Sequence, residues 1–303
     1  MSATGPRAVC VTQSTPLRRA LRRTLNAAGS QVEFQDVVDG SEAGAALVFI
    51  DKATRRALSG ESLDQLERLV VLGDSLEDAE VVEMLRRRGL NHLISDADDP
   101  DDTELVVTSV KLLSGDLFGL EKYLAWGVKV ADREITTYED KREALLAVTA
   151  HAREVGARRP LIARIESVVD ELLMNALYDA PAARHGIAAD TRSGQPAADA
   201  RAQLRWAGDG RYFAVSVQDD FGELHKESIL DHLERARRER GKPRSSDEVG
   251  GAGLGLYFIL SSVTRFIANI EPGRRTEVVC LFDLKQSGRD AETCARSLHV
   301  FGR

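Results

Sequence analysis

The sequence predicts a two-domain α/β protein: a doubly wound five-strand α/β domain followed by an α/β sandwich. Three observations predict it. Over about the first 113 residues, short apolar runs alternate with amphipathic ones, the strand–helix rhythm of a doubly wound sheet. From residue 140 onward two helical stretches come first. Runs that alternate apolar and polar follow, as in an antiparallel sheet covered on one face by helices. Finally, Gly250-Gly251-Ala252-Gly253-Leu254-Gly255-Leu256 leads straight into the apolar run 257–263, a glycine-rich turn feeding a helix. A chain of 303 residues has room for two such domains, with boundaries at 1–114 and 140–303 and a connector at 115–139.

In the first domain, residues 8–12 form a short apolar strand. Ser14-Thr15-Pro16 starts a helix with a cap and a proline in the first turn, and Gly29 stops it. Residues 31–37 alternate like a half-buried strand. Residues 45–50 form a continuous apolar run ending in Asp51, as a buried parallel strand does. The stretch 63–72 is the end of a helix feeding a strand at 69–72. A helix at 77–88 closes at Gly89, a strand covers 92–95, an acidic turn covers 96–102, and a helix covers 103–113. The link 37–45 is short for a crossover helix between parallel strands.

This stretch resembles the receiver domain of bacterial response regulators, with Asp51 where that family carries its phosphoacceptor. The remainder of the family's site is missing. The acidic pair expected after the first strand falls near Thr12-Gln13-Ser14, so a Mg²⁺ there lacks its other ligands. Strand four ends in Gly73-Asp74-Ser75, whose Ser75 can stand in for the family's hydroxyl, and strand five ends in Ser95-Asp96 without a lysine. The expectation is a pseudo-receiver for docking or dimerisation, with Asp51 either a phosphoacceptor or an ordinary turn residue.

The connector region to residue 138 holds Phe118, Tyr123, Trp126 and Tyr138 in a chain with only 5% aromatic residues. It begins as a helix, breaks at Gly127, and continues at 128–137 as an edge strand. Such a cluster is either a seam between domains or a protein-binding patch, and it suits a homodimer contact. A net charge of −7 argues against a nucleic-acid partner. The Arg-rich stretches 18–23, 86–88 and 235–240 read as solvated helix faces. Cys10, Cys280 and Cys294 lie far apart without metal-ligand spacing. No run is apolar enough to span a membrane and no signal peptide is visible, so a cytoplasmic protein with no membrane partner is expected.

In the second domain, an amphipathic helix at 140–155 ends at Gly156, and Pro160 precedes a helix at 161–178. Glu171 and Asn175 are four apart and share one helix face. A loop rich in small residues covers 181–202. Strands at 202–206 and 212–218 flank the hairpin turn Gly208-Asp209-Gly210, and Asp219-Asp220-Phe221-Gly222 follows. A polar segment, 225–249, has a helical centre at 229–240. Strands at 263–270, 277–284 and 298–301 complete the sheet. The glycine turn is no dinucleotide fingerprint, because position 256 is Leu, and no Walker loop, because Gly255 is followed by Leu256. On its own it is either a phosphate seat or a capping device.

Three signatures in order carry a second resemblance: Glu171-x-x-x-Asn175, Val217-x-Asp219 with Gly222, and Gly251-x-Gly253-x-Gly255-Leu256. Residues 140–284 resemble the ATP-binding domain shared by histidine kinases, gyrase and anti-sigma-factor serine kinases, the Bergerat or histidine-kinase-like ATPase fold. The resemblance implies ATP and Mg²⁺ as cofactors. It implies Asn175 as the Mg²⁺ ligand and Glu171 as general base. It implies Asp219 as acceptor for the adenine amine, with Gly222 and Thr276 beside the base. It implies Gly251, Gly253, Gly255 and Leu256 around the phosphates, under a lid at 226–249. Two positions depart from the family. Phe221 stands where its pattern has glycine, and Tyr178 stands where a basic residue is common.

His151 is the only candidate phosphoacceptor of a histidine kinase, and it lacks a dimerisation hairpin before it. The compact form is closest to the anti-sigma-factor kinases. That implies a signalling regulator acting on a protein partner (a sigma factor, an anti-sigma antagonist or another signalling protein), by nucleotide-dependent binding or serine phosphoryl transfer. Phe221, Tyr178 and the empty receiver site keep a non-catalytic scaffold of two degenerate domains in play.

Overall fold

The computed structural model describes residues 5–87, 89–95, 102–187, 196–239, 254–285 and 295–302. The chain is a mixed α/β protein of two compact units, Met1–Leu117 with Arg296–Phe301, and Phe118–Ala295 with Gly302–Arg303.

The first unit contains β1 (Arg7–Val11), α1 (Thr15–Ala27), β2 (Gln31–Gln35), β3 (Leu47–Asp51), α2 (Lys52–Ala57), α3 (Gly60–Asp64), β4 (Leu69–Leu72), α4 (Ala79–Leu85), β5 (Leu90–Ile94) and α5 (Asp102–Ser114). The five strands are parallel in the doubly wound order β2-β1-β3-β4-β5. Ser14 caps α1 by accepting from Leu17 N, with Pro16 in the first turn. Leu17, Leu21 and Leu25 of α1 and Leu105 of α5 are buried against Cys10, Phe49, Val70 and Leu72 on one sheet face. Alternation sends Val9, Val48, Ile50 and Val71 to the other face, and α2 packs on β3 and β4 there. Two short helices, α2 and α3, occupy ground where the sequence showed one helix end. The link from β2 to β3 makes its parallel crossover with turns alone.

The strand expected at 298–301 forms, and it has a partner in the first unit that the sequence did not give. It is β11 (Ser297–Gly302), and it pairs antiparallel with β5 of the first unit, with His299 opposite His92. Periodicity identifies a strand but not its partner. Here the partner is favoured by buried polar contacts that span 195 residues or more of sequence. His299 Nε2 lies 3.0 Å from Glu104 Oε1, and its Nδ1 lies 3.4 Å from His92 Nδ1. Lys111 Nζ sits 3.8 Å above the Phe301 ring.

The second unit contains β6 (Ala131–Ile135), α6 (Tyr138–Glu154), α7 (Arg159–Met174), α8 (Ala180–His185), β7 (Ala202–Gly208), β8 (Tyr212–Asp219), α9 (Lys226–Glu239), α10 (Leu254–Ser262), β9 (Arg265–Glu271) and β10 (Arg275–Asp283). The sheet order is β9-β10-β8-β7-β6, with each neighbouring pair antiparallel. Thr137 and Asp140 close a capping box on α6. The β7–β8 hairpin turns as expected: Asp209 Oδ1 accepts from Arg211 N and Tyr212 N, and Gly210 takes φ 87°. The His151 ring of α6 meets Phe213 edge-on, which places α6 on the β8 face that also carries Asp219. His151 is a packing residue here.

The connector departs from its expected helix. Only one 3₁₀ turn forms, Leu120–Tyr123, because Gly119 at φ 117° breaks the run before it. This turn packs on the sheet face opposite α6. Glu277 Oε2 accepts from Gly119 N at 3.0 Å and from Asn269 Nδ2 at 2.9 Å, and Arg275 stacks 3.7 Å over Phe118. The edge strand expected at 128–137 forms as β6, while Trp126 and Tyr138 stay exposed.

Candidate functional site

Helix α7 forms because Ile162, Ile165, Val168, Val169, Leu172 and Leu173 recur at helical spacing and are buried on the sheet side. This leaves Glu171 and Asn175 on the flank that meets α10. At Asn175 the winding widens into a π-turn, Asn175–Asp179, in place of the plain helix expected to 178. Such turns recur at functional sites.

Gly255, in the first turn of α10, faces this flank. A methyl group built on it would stand 2.2 Å from Glu171 Oε2 and 3.8 Å from Asn175 Oδ1. The glycine therefore gives the carboxylate and carboxamide room they would otherwise lose. Glu171 is half-buried, and its carboxylate makes no hydrogen bond or ion pair among the described residues. Burial, then the charge of Asp170, pushes its carboxyl above the usual range, against the pull of Lys141. Gly251 and Gly253 lie outside the described residues, as do 240–250 of the expected lid. Its described part is α9, which packs on α10. Leu256 is buried.

Asp219 ends β8, and Thr276 is its cross-strand partner on β10, so both side chains share the helix-covered face. The π-turn that carries Asn175 packs on β8, and α7 packs on β10. The two halves of the expected site thus lie on one side of one sheet. Asp219 is 8% exposed, and its Oδ1 accepts from Phe221 N at 2.9 Å and Gly222 N at 3.2 Å. Burial pushes its pKa up to about 6, against those backbone donors. Thr276 is 2% exposed, and its Oγ1 is buried without a hydrogen-bond partner among the described residues. A buried hydroxyl left unpaired costs about 1–3 kcal/mol.

These residues fit an adenine nucleotide with Mg²⁺. A buried carboxylate and an orphaned hydroxyl side by side suit a base carrying both a donor and an acceptor. The carboxamide of Asn175 beside an unpaired glutamate suits a magnesium ion that takes most of its other ligands from phosphates and water. Among the described residues no group of three or more His, Cys, Asp or Glu side chains could hold a metal ion.

Gly222, with φ 68°, packs against the β9–β10 turn: a methyl there would stand 2.4 Å from Glu271 O and 2.7 Å from Gly273 N and Arg274 N. Its carbonyl accepts from Gly273 N at 3.2 Å. Phe221 and Tyr178 are both buried.

Sequence reasoning missed Lys141. It is buried on α6 with Nζ 2.7 Å from Asp170 Oδ1, next to Glu171. A lysine in the first turns of an amphipathic helix reads as a surface residue, and only the packing of α6 on α7 buries it.

In the first unit Asp51 is the N-cap of α2. It accepts from Thr54 N at 2.8 Å and from Thr12 Oγ1 at 2.5 Å. Thr12, at the position of the missing acidic pair, supplies a hydroxyl in place of a carboxylate. Asp51→Ala is expected to cost about 1 kcal/mol through loss of the cap. Equilibrium urea unfolding checks it, and an unchanged midpoint would show the cap to be idle. Among the described residues no helix is long and apolar enough to cross a membrane.

No family model matches the chain, and no curated protein matches it. Among solved structures the chain is similar to one in the SiaB-SiaC complex from Pseudomonas aeruginosa. The identity is 16% and the TM-score 0.33, with 50% of this chain and 88% of that chain covered. At that TM-score the likeness decides nothing about fold or function.

Proposed function

We propose that the second unit is a histidine-kinase-like ATPase domain that binds Mg·ATP, and that the chain is a signalling regulator which uses this site to control a protein partner. The observation that carries the reading is the pair Asp219 and Thr276: a buried carboxylate beside a buried hydroxyl with no partner among the described residues, on the face under α7. Asp219 would accept from the exocyclic amine of adenine, and Thr276 Oγ1 would bond a ring nitrogen. Asn175 would hold Mg²⁺, which supplies charge neutralisation along the phosphates. Glu171, with its carboxyl raised by burial, would hold the proton of an attacking hydroxyl such as a partner's serine. Lys141 keeps Asp170 paired and favours the carboxylate form of Glu171.

A second reading has its own support. Tyr178 is buried where a phosphate-binding cation would be expected, and Phe221 is buried beside Asp219. Both favour a non-catalytic scaffold, which would bind partners through the exposed Trp126 region. Calorimetric titration with Mg·ATP separates the two. The ATPase reading expects saturable heat, weakened at least about tenfold in Asn175→Ala. A flat titration with wild-type protein would sink it and leave the scaffold.

A further inference from the structure

The first unit contains a cleft of about 580 Å³ between the α2–α3 corner and α4, within the size range of small-molecule sites. Its floor is apolar, made by Leu58, Leu63 and Met84, and four guanidinium groups surround it: Arg55, Arg56, Arg86 and Arg87. Among the described residues two carboxylates, Glu80 and Glu83, share the lining, and Asp74 and Asp64 pair with Arg55 and Arg87.

Arg55 is the fixed member. It is 7% exposed, and buried Asp74 holds it by two parallel bonds, Nε to Oδ2 at 2.8 Å and Nη2 to Oδ1 at 3.0 Å. That pairing uses one edge of the guanidinium and turns Nη1 toward Glu80, 4.0 Å away. Arg86 Nε lies 3.6 Å from Glu83. The Arg55–Glu80 separation exceeds a hydrogen bond, and Glu80 is largely exposed, so an incoming anion can replace it. Arg56 is exposed and makes no ion pair or hydrogen bond among the described residues. Arg87 is drawn in by Asp64 at 2.7 Å and lies over Gly60, where any side chain would meet its guanidinium.

A ring of planar forks around an apolar floor matches phosphate oxygens attached to a less polar body. We infer that this cleft binds a small molecule bearing at least two phosphate charges, and that the first unit senses such a ligand. The inference concerns the first unit alone and holds whether or not the second binds nucleotide.

The test uses the full chain and inorganic pyrophosphate as probe, by calorimetry at low ionic strength without Mg²⁺. The expected result is one saturable site whose affinity falls as salt rises from about 50 to about 200 mM. The double variant Arg56→Gln/Arg86→Gln is expected to weaken binding at least about tenfold with an unchanged melting temperature, while Asn175→Ala leaves it unaltered. If the double variant melts early, Arg56→Glu alone is expected to show the same loss. Absence of saturable heat, retention of affinity in the folded arginine variant, or loss of affinity in Asn175→Ala would each overturn the inference. The last would place the anion in the second unit.

Discussion

Gly222→Ala is expected to lose about 3 kcal/mol or more of folding stability. Two costs add at this position. A non-glycine residue at φ 68° sits in the left-handed region, worth about 1–2 kcal/mol. The new methyl would also stand 2.4–2.7 Å from three backbone atoms of the β9–β10 turn, which cannot swing aside as a side-chain tip can. Such overpacking costs about 1–3 kcal/mol. Denaturant unfolding should show a lower midpoint at an unchanged slope. A loss below about 1 kcal/mol would mean that the 221–222 turn does not rest on that hairpin. The comparison with Gly255→Ala is instructive. There the nearest atom is the tip of Glu171, which can move, and alanine favours a helix by up to about 1 kcal/mol.

Asp219→Asn is expected to move stability and binding in opposite directions. Burial raises the Asp219 pKa from 3.8 to about 6, so the folded chain binds this proton more tightly than the unfolded chain. Stability is therefore favoured below about pH 4, falls as pH rises through about 4 to 6, and stays lower above. The difference of about two units corresponds to an upper bound of about 3 kcal/mol at pH 7. Asparagine avoids that cost while its carbonyl still accepts from Phe221 N and Gly222 N. The variant should melt higher than wild type at pH 7, and the gap should close toward pH 4. Binding goes the other way. Oδ1 is committed to Phe221 N and Gly222 N and the Thr276 backbone also donates to the carboxylate, so the amide presents its NH₂ where the second carboxylate oxygen was. A donor then faces the amine of adenine, and Mg·ATP affinity should drop about 100-fold. A variant that is no more stable at pH 7 than at pH 4, relative to wild type, would show Asp219 to be well solvated. One that keeps full ATP affinity would remove adenine from this position.

Much of the fold was legible because its signals are local. The cap at Ser14, the apolar runs at 8–12 and 45–50, and the hairpin at Asp209-Gly210 each act within a few residues. The shared face of Glu171 and Asn175 was legible for a related reason: a four-residue spacing fixes a helix face whatever the helix packs on. What was not legible depends on distant partners. Nothing near Lys141 announces a buried ion pair with Asp170, and nothing near Gly222 announces that it lies on a turn about 50 residues later.

The order of residues by itself determined the alternation of strands and helices, the facing of Glu171 and Asn175, and the position of Asp51 at a strand end. Tertiary structure alone decided three matters. It sent the last strand to β5, where His299 finds Glu104. It paired Asp219 with Thr276 so that a buried hydroxyl was left without a partner among the described residues. It made Asp51 a helix cap satisfied by Thr12. The physical reason is the same in each case: burial and hydrogen-bond satisfaction are properties of surroundings assembled from far along the chain, whereas turns, caps and helix faces are properties of neighbours.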